Sequence, residues 1–176
     1  MQRILWADLE MTGLDPNQHV IIEIAAIVTD LQLENLASFH AIVFQPASEL
    51  EKMDQWNRDT HGASGLLAQI PAGRPVDEVD RDLLAFVNAA FDDEPVVLAG
   101  NSIHQDRKFI DGQMPLLASR LHYRMIDVSS FKQVFRHLYA VEYPKENGHR
   151  ALDDIQASIN ELRHYLQFVN ITPQVN

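Results

Sequence analysis

Residues 20–30, VIIEIAAIVTD, are rich in β-branched side chains and have the composition of a buried β-strand. Two segments on either side also have strand patterns, RILWADL at 3–9 and LASFHAIVFQ at 36–45. The three segments follow one another closely, with turn residues such as Gly13 between the first two. We therefore expect three neighbouring strands that form an antiparallel meander.

The rest of the chain alternates helical patterns with short strands. Strands are predicted at 95–101 and 124–128, and helices at 49–61, 63–69, 76–91, 104–111, 115–122, 129–140 and 150–168. Strands separated by helices usually pair in parallel through helical crossovers. We therefore predict an α/β fold in a single domain, residues 1–176 with a C-terminal tail at 169–176. Its mixed central sheet begins as an antiparallel meander, continues with parallel strands and is flanked by helices.

The composition is that of an ordinary globular protein, since 46% of the 176 residues are hydrophobic and 22% are charged. The chain has no cysteine, which excludes disulfides, Cys-zinc sites and a thiol nucleophile. The most apolar stretch, 20–28, is interrupted by Glu23 and is far too short to span a bilayer. No secretory signal pattern is visible, so we expect a soluble cytoplasmic protein with no membrane partner.

The charge balance restricts the possible partners. Lys and Arg total 14 while Asp and Glu total 25, so the formal net charge is −11. Long nucleic acids are usually bound by basic surfaces that neutralise phosphates, and this chain has no basic run. We therefore expect any nucleic-acid substrate to be short and held locally, with bound cations supplying the positive charge.

Two acids lie at the end of the first predicted strand. Asp8 and Glu10 are two residues apart, so strand alternation places both side chains on one face, about 6.5–7 Å apart along the chain. Two carboxylates directed at one point repel each other unless a cation lies between them. A bare D-x-E pattern is also typical of two solvated acids, so this pair alone does not establish a metal site.

Three more residues complete a candidate constellation. Asp106 opens the helix after the 95–101 strand, Asp154 lies among small neighbours on the last helix, and His149 precedes it by five residues. Asp153 is an alternative to Asp154 as the functional acid. Four acids from three segments, with a histidine nearby, match a two-metal phosphoryl-transfer site. A histidine, with an unperturbed pKa of about 6.5, is suited to deprotonate an attacking water.

Four segments carry a resemblance to a known family: ILWADLEMTGLD (4–15), GNSIHQDRKF (100–109), LHYRMIDVSS (121–130) and GHRALDDI (148–155). In this order they resemble the oligoribonuclease family, a branch of the DEDDh group of 3′-to-5′ exonucleases with a ribonuclease-H-like fold. The similarity runs from about Ile4 to Leu166. It implies that two divalent cations, Mg²⁺ or Mn²⁺, are held by four acids and that His149 is the general base. The four implied ligands are Asp8, Glu10, Asp106 and Asp154.

The resemblance also implies a set of substrate contacts. Leu9 would be a wedge between bases, and Trp56 and Tyr123 would be stacking surfaces, with Tyr123 counted in the active site and contributed across a homodimer interface. Contacts to the terminal phosphate of a very short substrate are implied for Ser102, Gln105, Arg124 and His61. Independently of the family, Trp56 would be an odd exposed aromatic on a polar helix, and Arg124 suits bidentate phosphate recognition.

Two stretches depart from the family pattern. Gly112 and Gln113 stand where a more basic or aromatic pair is expected, and the loop 143–148 is shorter than usual. The first departure affects the expected substrate edge and the second the approach of His149. Neither involves the predicted metal ligands.

The sequence thus predicts a metal-dependent 3′-to-5′ exoribonuclease that degrades very short single-stranded RNA, down to dinucleotides, to 5′-mononucleotides. Three alternatives remain open at this stage. A related exonuclease that trims or proofreads longer strands would need a basic track. A non-catalytic nucleic-acid-binding module would not need all four acids, and a phosphatase of small phosphoesters would leave the aromatic pair unexplained.

Overall fold

The computed structural model describes residues 3–93, 95–144 and 150–169. Two predictions fall outside these ranges: the role of His149 and nearly all of the tail at 169–176. The strands are β1 (Arg3–Met11), β2 (Ile21–Asp30), β3 (Asn35–Ile42), β4 (Val96–Gly100) and β5 (Leu121–Asp127). The helices are α1 (Ala47–Leu50), α2 (Gln55–Ala63), α3 (Val76–Ala90), α4 (His104–Gln113), α5 (Pro115–Arg120), α6 (Val128–Tyr139) and α7 (Ala151–Leu166), with a 3₁₀ turn at Ile70–Ala72.

The five strands form one mixed sheet in the order β3-β2-β1-β4-β5. β1 pairs antiparallel with β2, and β2 with β3, whereas β4 pairs parallel with β1 and β5 parallel with β4. This confirms the predicted single α/β domain, in which an antiparallel meander is extended by parallel strands. Among the described residues, no helix is long and apolar enough to cross a membrane.

Both faces of the sheet are covered, because β1 directs alternate side chains into two separate cores. Leu5 packs in one core with residues of α3, α4 and α5, and Trp6 packs in the other with residues of α6 and α7. The indole N–H of Trp6 donates to Thr29 Oγ1 on β2 at 3.0 Å. Since Asp8 and Glu10 have the parity of Trp6, they face the side of the sheet on which α7 lies.

One turn at the end of β4 requires a glycine. A Cβ on Gly100 would lie 2.8 Å from the carbonyl oxygen of Ala7 and 2.9 Å from the Ile103 side chain. The absence of a side chain therefore lets the end of β4 approach β1 closely. This close approach brings the start of α4, with Asp106, next to the acidic end of β1.

The predicted helix over 49–61 is wrong in one respect, because the structure divides it into α1 and α2. Met53 is buried between the two helices, and the carboxylate of Asp54 accepts a hydrogen bond from Asn57 N and caps α2. The predicted helix over 63–69 is also wrong. Gly65 takes a left-handed conformation with φ of 74°, and the chain from 64 to 69 forms turns instead.

Candidate active site

Three of the predicted ligands converge at one end of β1. Asp8 and Glu10 on β1 and Asp154 in the first turn of α7 each offer an oxygen, and these oxygens lie within 4.8 Å of one another. All three side chains are partly buried. Oxygen-only donors of this kind suit hard divalent cations such as Mg²⁺ or Mn²⁺.

The fourth predicted ligand is bound to the same strand by a different contact. Asp106, in the first turn of α4, is buried, and its Oδ1 accepts a hydrogen bond from Leu9 N at 3.0 Å. The charge of Asp106 raises the pKa of Glu10, so Asp106 lies close to the cluster. It is not one of the three acids whose oxygens lie within 4.8 Å of one another.

The site raises the pKa values of its own acids. Burial first, and then the charges of Glu23, Asp154 and Asp106, together raise the pKa of Glu10 to about 7, while the charge of Arg150 opposes them. Burial likewise raises the pKa of Asp106 to about 7, against hydrogen bonds from its own backbone and from Leu9. Both carboxyls therefore favour a bound proton, or a bound cation, over a bare negative charge.

Leu9 and His61 lie next to this cluster and are both buried. Leu9 is only 5% exposed and packs in the core on the α3 side, so its backbone N–H is its contact with the site. His61 on α2 places Nε2 3.0 Å from the carbonyl oxygen of Met11 and Nδ1 3.8 Å from Glu10 Oε2. The end of β1 is thus flanked by α2 as well as by α4 and α7.

The two predicted stacking residues are both at the surface, on separate elements. Trp56 on α2 is 66% exposed and Tyr123 on the edge strand β5 is 72% exposed. The guanidinium of Arg124 lies 5.1 Å from the centre of the Tyr123 ring, and the His122 ring stacks on the same Tyr123 ring at 4.5 Å between centroids. Such exposed aromatic and cationic groups can contact bases and phosphates.

The loop after β4 is organised by Asp127, which the sequence did not single out. Its Oδ1 accepts hydrogen bonds at 3.0 Å from both Ser102 N and Ser129 N. Ser102 takes a left-handed conformation with φ of 51°, and its Oγ lies 3.5 Å from Ser129 Oγ. The Gln105 amide donates to the carbonyl oxygen of Leu14. Gln105, which is predicted to contact the substrate phosphate, therefore also holds the loop after β1.

Comparisons with known proteins show the family of the chain. The chain matches the exonuclease family over residues 5–162. It is 46% identical over 173 residues to an oligoribonuclease of Vibrio cholerae, covering 96% of each chain. The chain belongs to the oligoribonuclease family. It is also 42% identical over 170 residues to the human mitochondrial oligoribonuclease, covering 93% of this chain and 72% of that one.

The oligoribonuclease family assignment is accompanied by a structural likeness to larger exonucleases. Exonuclease I of Methylocaldum szegediense superposes with a TM-score of 0.73 at 17% identity, covering 96% of this chain and 41% of that one. An E. coli exonuclease I in a zinc-bound complex with single-stranded DNA gives a TM-score of 0.68 at 13% identity, with 95% and 40% coverage. At these identities the likeness shows the fold alone, and it confirms the expected ribonuclease-H-like exonuclease fold. The chain spans about two fifths of those structures.

As a member of the oligoribonuclease family the chain is a nuclease, a hydrolase of phosphodiester bonds, and this class is typically metal-dependent. Sequence reasoning missed two residues beside its acids, Glu23 and Arg150. Glu23 lies directly opposite Glu10 in the β1–β2 register and is bound by Arg150. The available signal was the single acid inside the apolar run 20–28, which interrupts a strand that is otherwise buried.

Proposed function

We propose that this protein is a 3′-to-5′ exoribonuclease that degrades very short RNA, down to dinucleotides, to 5′-mononucleotides. The observation that carries the proposal is the convergence of Asp8, Glu10 and Asp154 within 4.8 Å in a member of the oligoribonuclease family. The acidic balance of the chain, −11 at pH 7, favours a short substrate because a long strand would need more phosphate contacts.

The proposed cofactors are two divalent cations, Mg²⁺ or Mn²⁺, held by Asp8, Glu10, Asp106 and Asp154. The fit rests on the oxygen-only donor set and on the raised pKa values of Glu10 and Asp106, since two carboxyls with pKa values of about 7 favour an added positive charge. When bound, the cations would supply charge stabilisation to the attacking and leaving oxygens of an in-line displacement.

The proposed general base is His149, which precedes Arg150 in the chain. Its imidazole would accept a proton from water as the water oxygen forms a bond to phosphorus and the bond to the departing 3′-oxygen breaks. The 3′-oxygen then takes a proton from solvent, and a 5′-mononucleotide leaves. A histidine is suited to this step because its ordinary pKa lies close to physiological pH.

The proposed substrate contacts divide into stacking and phosphate recognition. Trp56 and Tyr123 would stack on the bases, which their exposure of 66% and 72% permits. The terminal phosphate would be bound by Arg124, Ser102, Gln105 and His61. The proposed wedge, Leu9, is held at the end of β1 by the hydrogen bond from its N–H to Asp106, and its side chain, 5% exposed here, would have to leave the core to contact a base.

A homodimer is also proposed, formed through the β5 edge and the neighbouring helix α6. β5 is the last strand of the sheet, and α6 exposes Val134, Leu138 and Tyr139. An exposed strand edge beside apolar side chains is typical of an association surface. In such a dimer Tyr123 would reach the site of the partner subunit. We propose the cytoplasm as the compartment.

A length series tests the proposed function. The purified protein is incubated with 5′-labelled RNAs of two to about twenty nucleotides, in Mg²⁺ or Mn²⁺ and with a chelator as control. We expect metal-dependent cleavage that is fastest on dinucleotides and slows with length. Faster cleavage of long strands would move the assignment to a trimming exonuclease. Binding without cleavage at any length would indicate a binding module.

A further inference from the structure

We propose that the ion pair between Glu23 and Arg150 is a positioning device that holds Asp154 against Asp8 and Glu10 for cation binding. The inference rests on the proposed metal centre, and it assigns a role to two residues that do not themselves converge with the ligands. The following observations place the pair between the two elements that carry those ligands, β1 and α7.

Glu23 is fully buried in β2, directly opposite Glu10 in the antiparallel register. Its Oε1 accepts hydrogen bonds from Arg150 Nη2 at 2.8 Å and Nε at 3.1 Å, and it lies 2.6 Å from His40 Nε2. Among the residues the structure describes, no group donates to its Oε2. A buried carboxylate is costly without a partner, and Arg150 supplies two of the nitrogens that contact Glu23, while His40 supplies a third.

Arg150 is also joined to Asp154 through its backbone. It is the N-cap residue of α7, and its carbonyl oxygen accepts hydrogen bonds from Asp153 N and Asp154 N, both at 3.0 Å. The side chain of Arg150 is thus fixed to β2, while its main chain fixes the first turn of α7. A continuous set of contacts therefore joins Glu10, Glu23, Arg150 and Asp154.

The formal charges of Glu23 and Arg150 cancel, unlike the charges of the four proposed metal ligands. Two divalent cations would neutralise the four proposed carboxylate ligands, whereas Glu23 is neutralised by Arg150. The pair adds no net formal charge to the centre, but Glu23 raises the pKa of Glu10 more than Arg150 lowers it, so an experiment must separate its geometrical role from its electrostatic one. Arg150 also lowers the pKa of Glu10, because its positive charge lies close to that carboxyl.

Replacing Arg150 by glutamine distinguishes a positioning role of the ion pair from a purely electrostatic role. A purely electrostatic role predicts that Arg150→Gln binds Mn²⁺ more tightly, because a positive charge has left the neighbourhood of the site. A positioning role predicts weaker binding, because the first turn of α7 is released. Losses of about 10- to 100-fold in metal affinity are typical when a supporting residue behind a ligand is removed.

The experiment is a calorimetric titration of the full chain with Mn²⁺, without substrate, together with the melting temperature of each variant. We expect Arg150→Gln to bind about 10- to 100-fold more weakly. Arg150→Lys keeps the charge but lacks the planar guanidinium, so we expect it to recover only part of the Mn²⁺ affinity. The same variant replaces Arg150→Gln in the comparison if Arg150→Gln does not fold. Glu23→Gln combined with Arg150→Gln should bind no more weakly than Arg150→Gln alone.

Arg163→Gln is the matched control. Arg163 lies near the other end of α7, where it donates to the carbonyl oxygen of Leu33 at 2.8 Å and lies 3.5 Å from Glu34 Oε1. It anchors the same helix to the turn between β2 and β3, nine residues along the chain from Asp154. We expect this variant to lose stability while its Mn²⁺ affinity stays within about twofold of the wild type, since distant sites act independently.

Several outcomes would overturn the inference. Equal or tighter Mn²⁺ binding by folded Arg150→Gln would do so, and so would an equal loss of affinity in Arg163→Gln, which would show a general loosening of α7. Wild-type protein that binds no Mn²⁺ would overturn the proposed metal centre, and this inference with it. Wild-type binding that is lost in Asp8→Asn but unchanged in Arg150→Gln would overturn the inference alone.

Discussion

The molecule contains two kinds of carboxylate that are wholly or partly buried. Asp80 on α3 has both oxygens hydrogen-bonded, at 2.9 Å, to Leu116 N and Leu117 N at the start of α5. Glu10, at the end of β1, lies among other acids instead, and Asp106 on α4 is buried with a hydrogen bond to only one of its oxygens, from Leu9 N; the pKa values of both are raised to about 7, chiefly by burial. Both oxygens of Asp80 therefore have backbone donors, whereas Glu10 and Asp106 favour a bound proton or a bound cation.

Glu161 on α7 belongs with Asp80 rather than with the site. Its Oε1 accepts from the Tyr165 hydroxyl at 2.9 Å and its Oε2 from Asn101 Nδ2 at 3.1 Å. The comparison teaches that burial of an acid does not by itself indicate function. What distinguishes Glu10 here is that it lies partly buried among three other acids, whose charges raise its pKa.

The largest effect is expected from a ligand. Asp8→Asn should reduce RNA cleavage by about 10⁴-fold, since losing a cation removes several kcal/mol of transition-state stabilisation. The melting temperature without metal should stay the same or rise, because a negative charge leaves an acidic cluster. Dinucleotide turnover, Mn²⁺ titration and thermal unfolding measure the three quantities. Near wild-type turnover in Mg²⁺ would remove Asp8 from the proposed centre.

A second variant separates cation binding from proton transfer. His149→Ala should reduce turnover by about 10³-fold, within the range for loss of a general base, and leave Mn²⁺ affinity close to that of the wild type. Single-turnover cleavage at saturating dinucleotide and calorimetric titration give the two values. If His149→Ala cleaves at the wild-type rate, another group takes the proton.

The pH dependence of stability tests the raised pKa values directly. The pKa of Glu10 in the folded protein, about 7, lies above its ordinary value of 4.5, so the folded state binds the proton more tightly than the unfolded state. The metal-free protein should therefore lose stability as the pH rises from about 4.5 through about 7, and Asp106 should contribute in the same direction from 3.8. Added Mn²⁺ should remove most of this slope and release protons.

Glu10→Gln should then stabilise the metal-free protein at pH 8 by up to about 3 kcal/mol, the free-energy equivalent of the shift. Urea unfolding at pH 5 and pH 8 measures the change, and Asp77→Asn on the exposed side of α3 is the control. A variant that is no more stable than the wild type at pH 8 would contradict the raised pKa of Glu10.

The smallest effect is expected from the structural acid. Asp80→Asn should cost about 2 kcal/mol of unfolding free energy, because its amide nitrogen cannot accept one of the two backbone hydrogen bonds at the start of α5. Turnover per folded molecule should not change. Urea unfolding and dinucleotide turnover check both statements, and a loss of Mn²⁺ affinity in this variant would mean that the two kinds of acid are coupled.

Local patterns were sufficient to predict most of the fold. The β-branched run of β2 and the apolar stripe of α7, with Ile155 and Ile159 buried, are signals that adjacent residues carry by themselves. Strand alternation likewise predicted that Asp8 and Glu10 share a face. Boundaries that depend on tertiary packing were missed, as at Met53, whose burial interrupts a continuous helical pattern.

The remaining features of the site depend on contacts between residues far apart in the sequence. The pairing of Glu23 with Arg150 follows from the register of β2 and the entry of α7, which no local pattern reveals. The hydrogen bond from Leu9 N to Asp106 depends equally on where β4 stops pairing with β1. Residue types alone could name the candidate acids, but only the assembled sheet could show which charges surround each of them.

The acidic end of β1 has a consequence for the order of synthesis. Asp8 and Glu10 are made early, whereas Asp154 lies in the last helix of the described chain. Because domains fold as units and the contacts that close this one join distant parts of the sequence, the centre can assemble only after α7 has left the ribosome. A nascent chain that has not yet exposed α7 therefore carries two of these acids but no complete cluster.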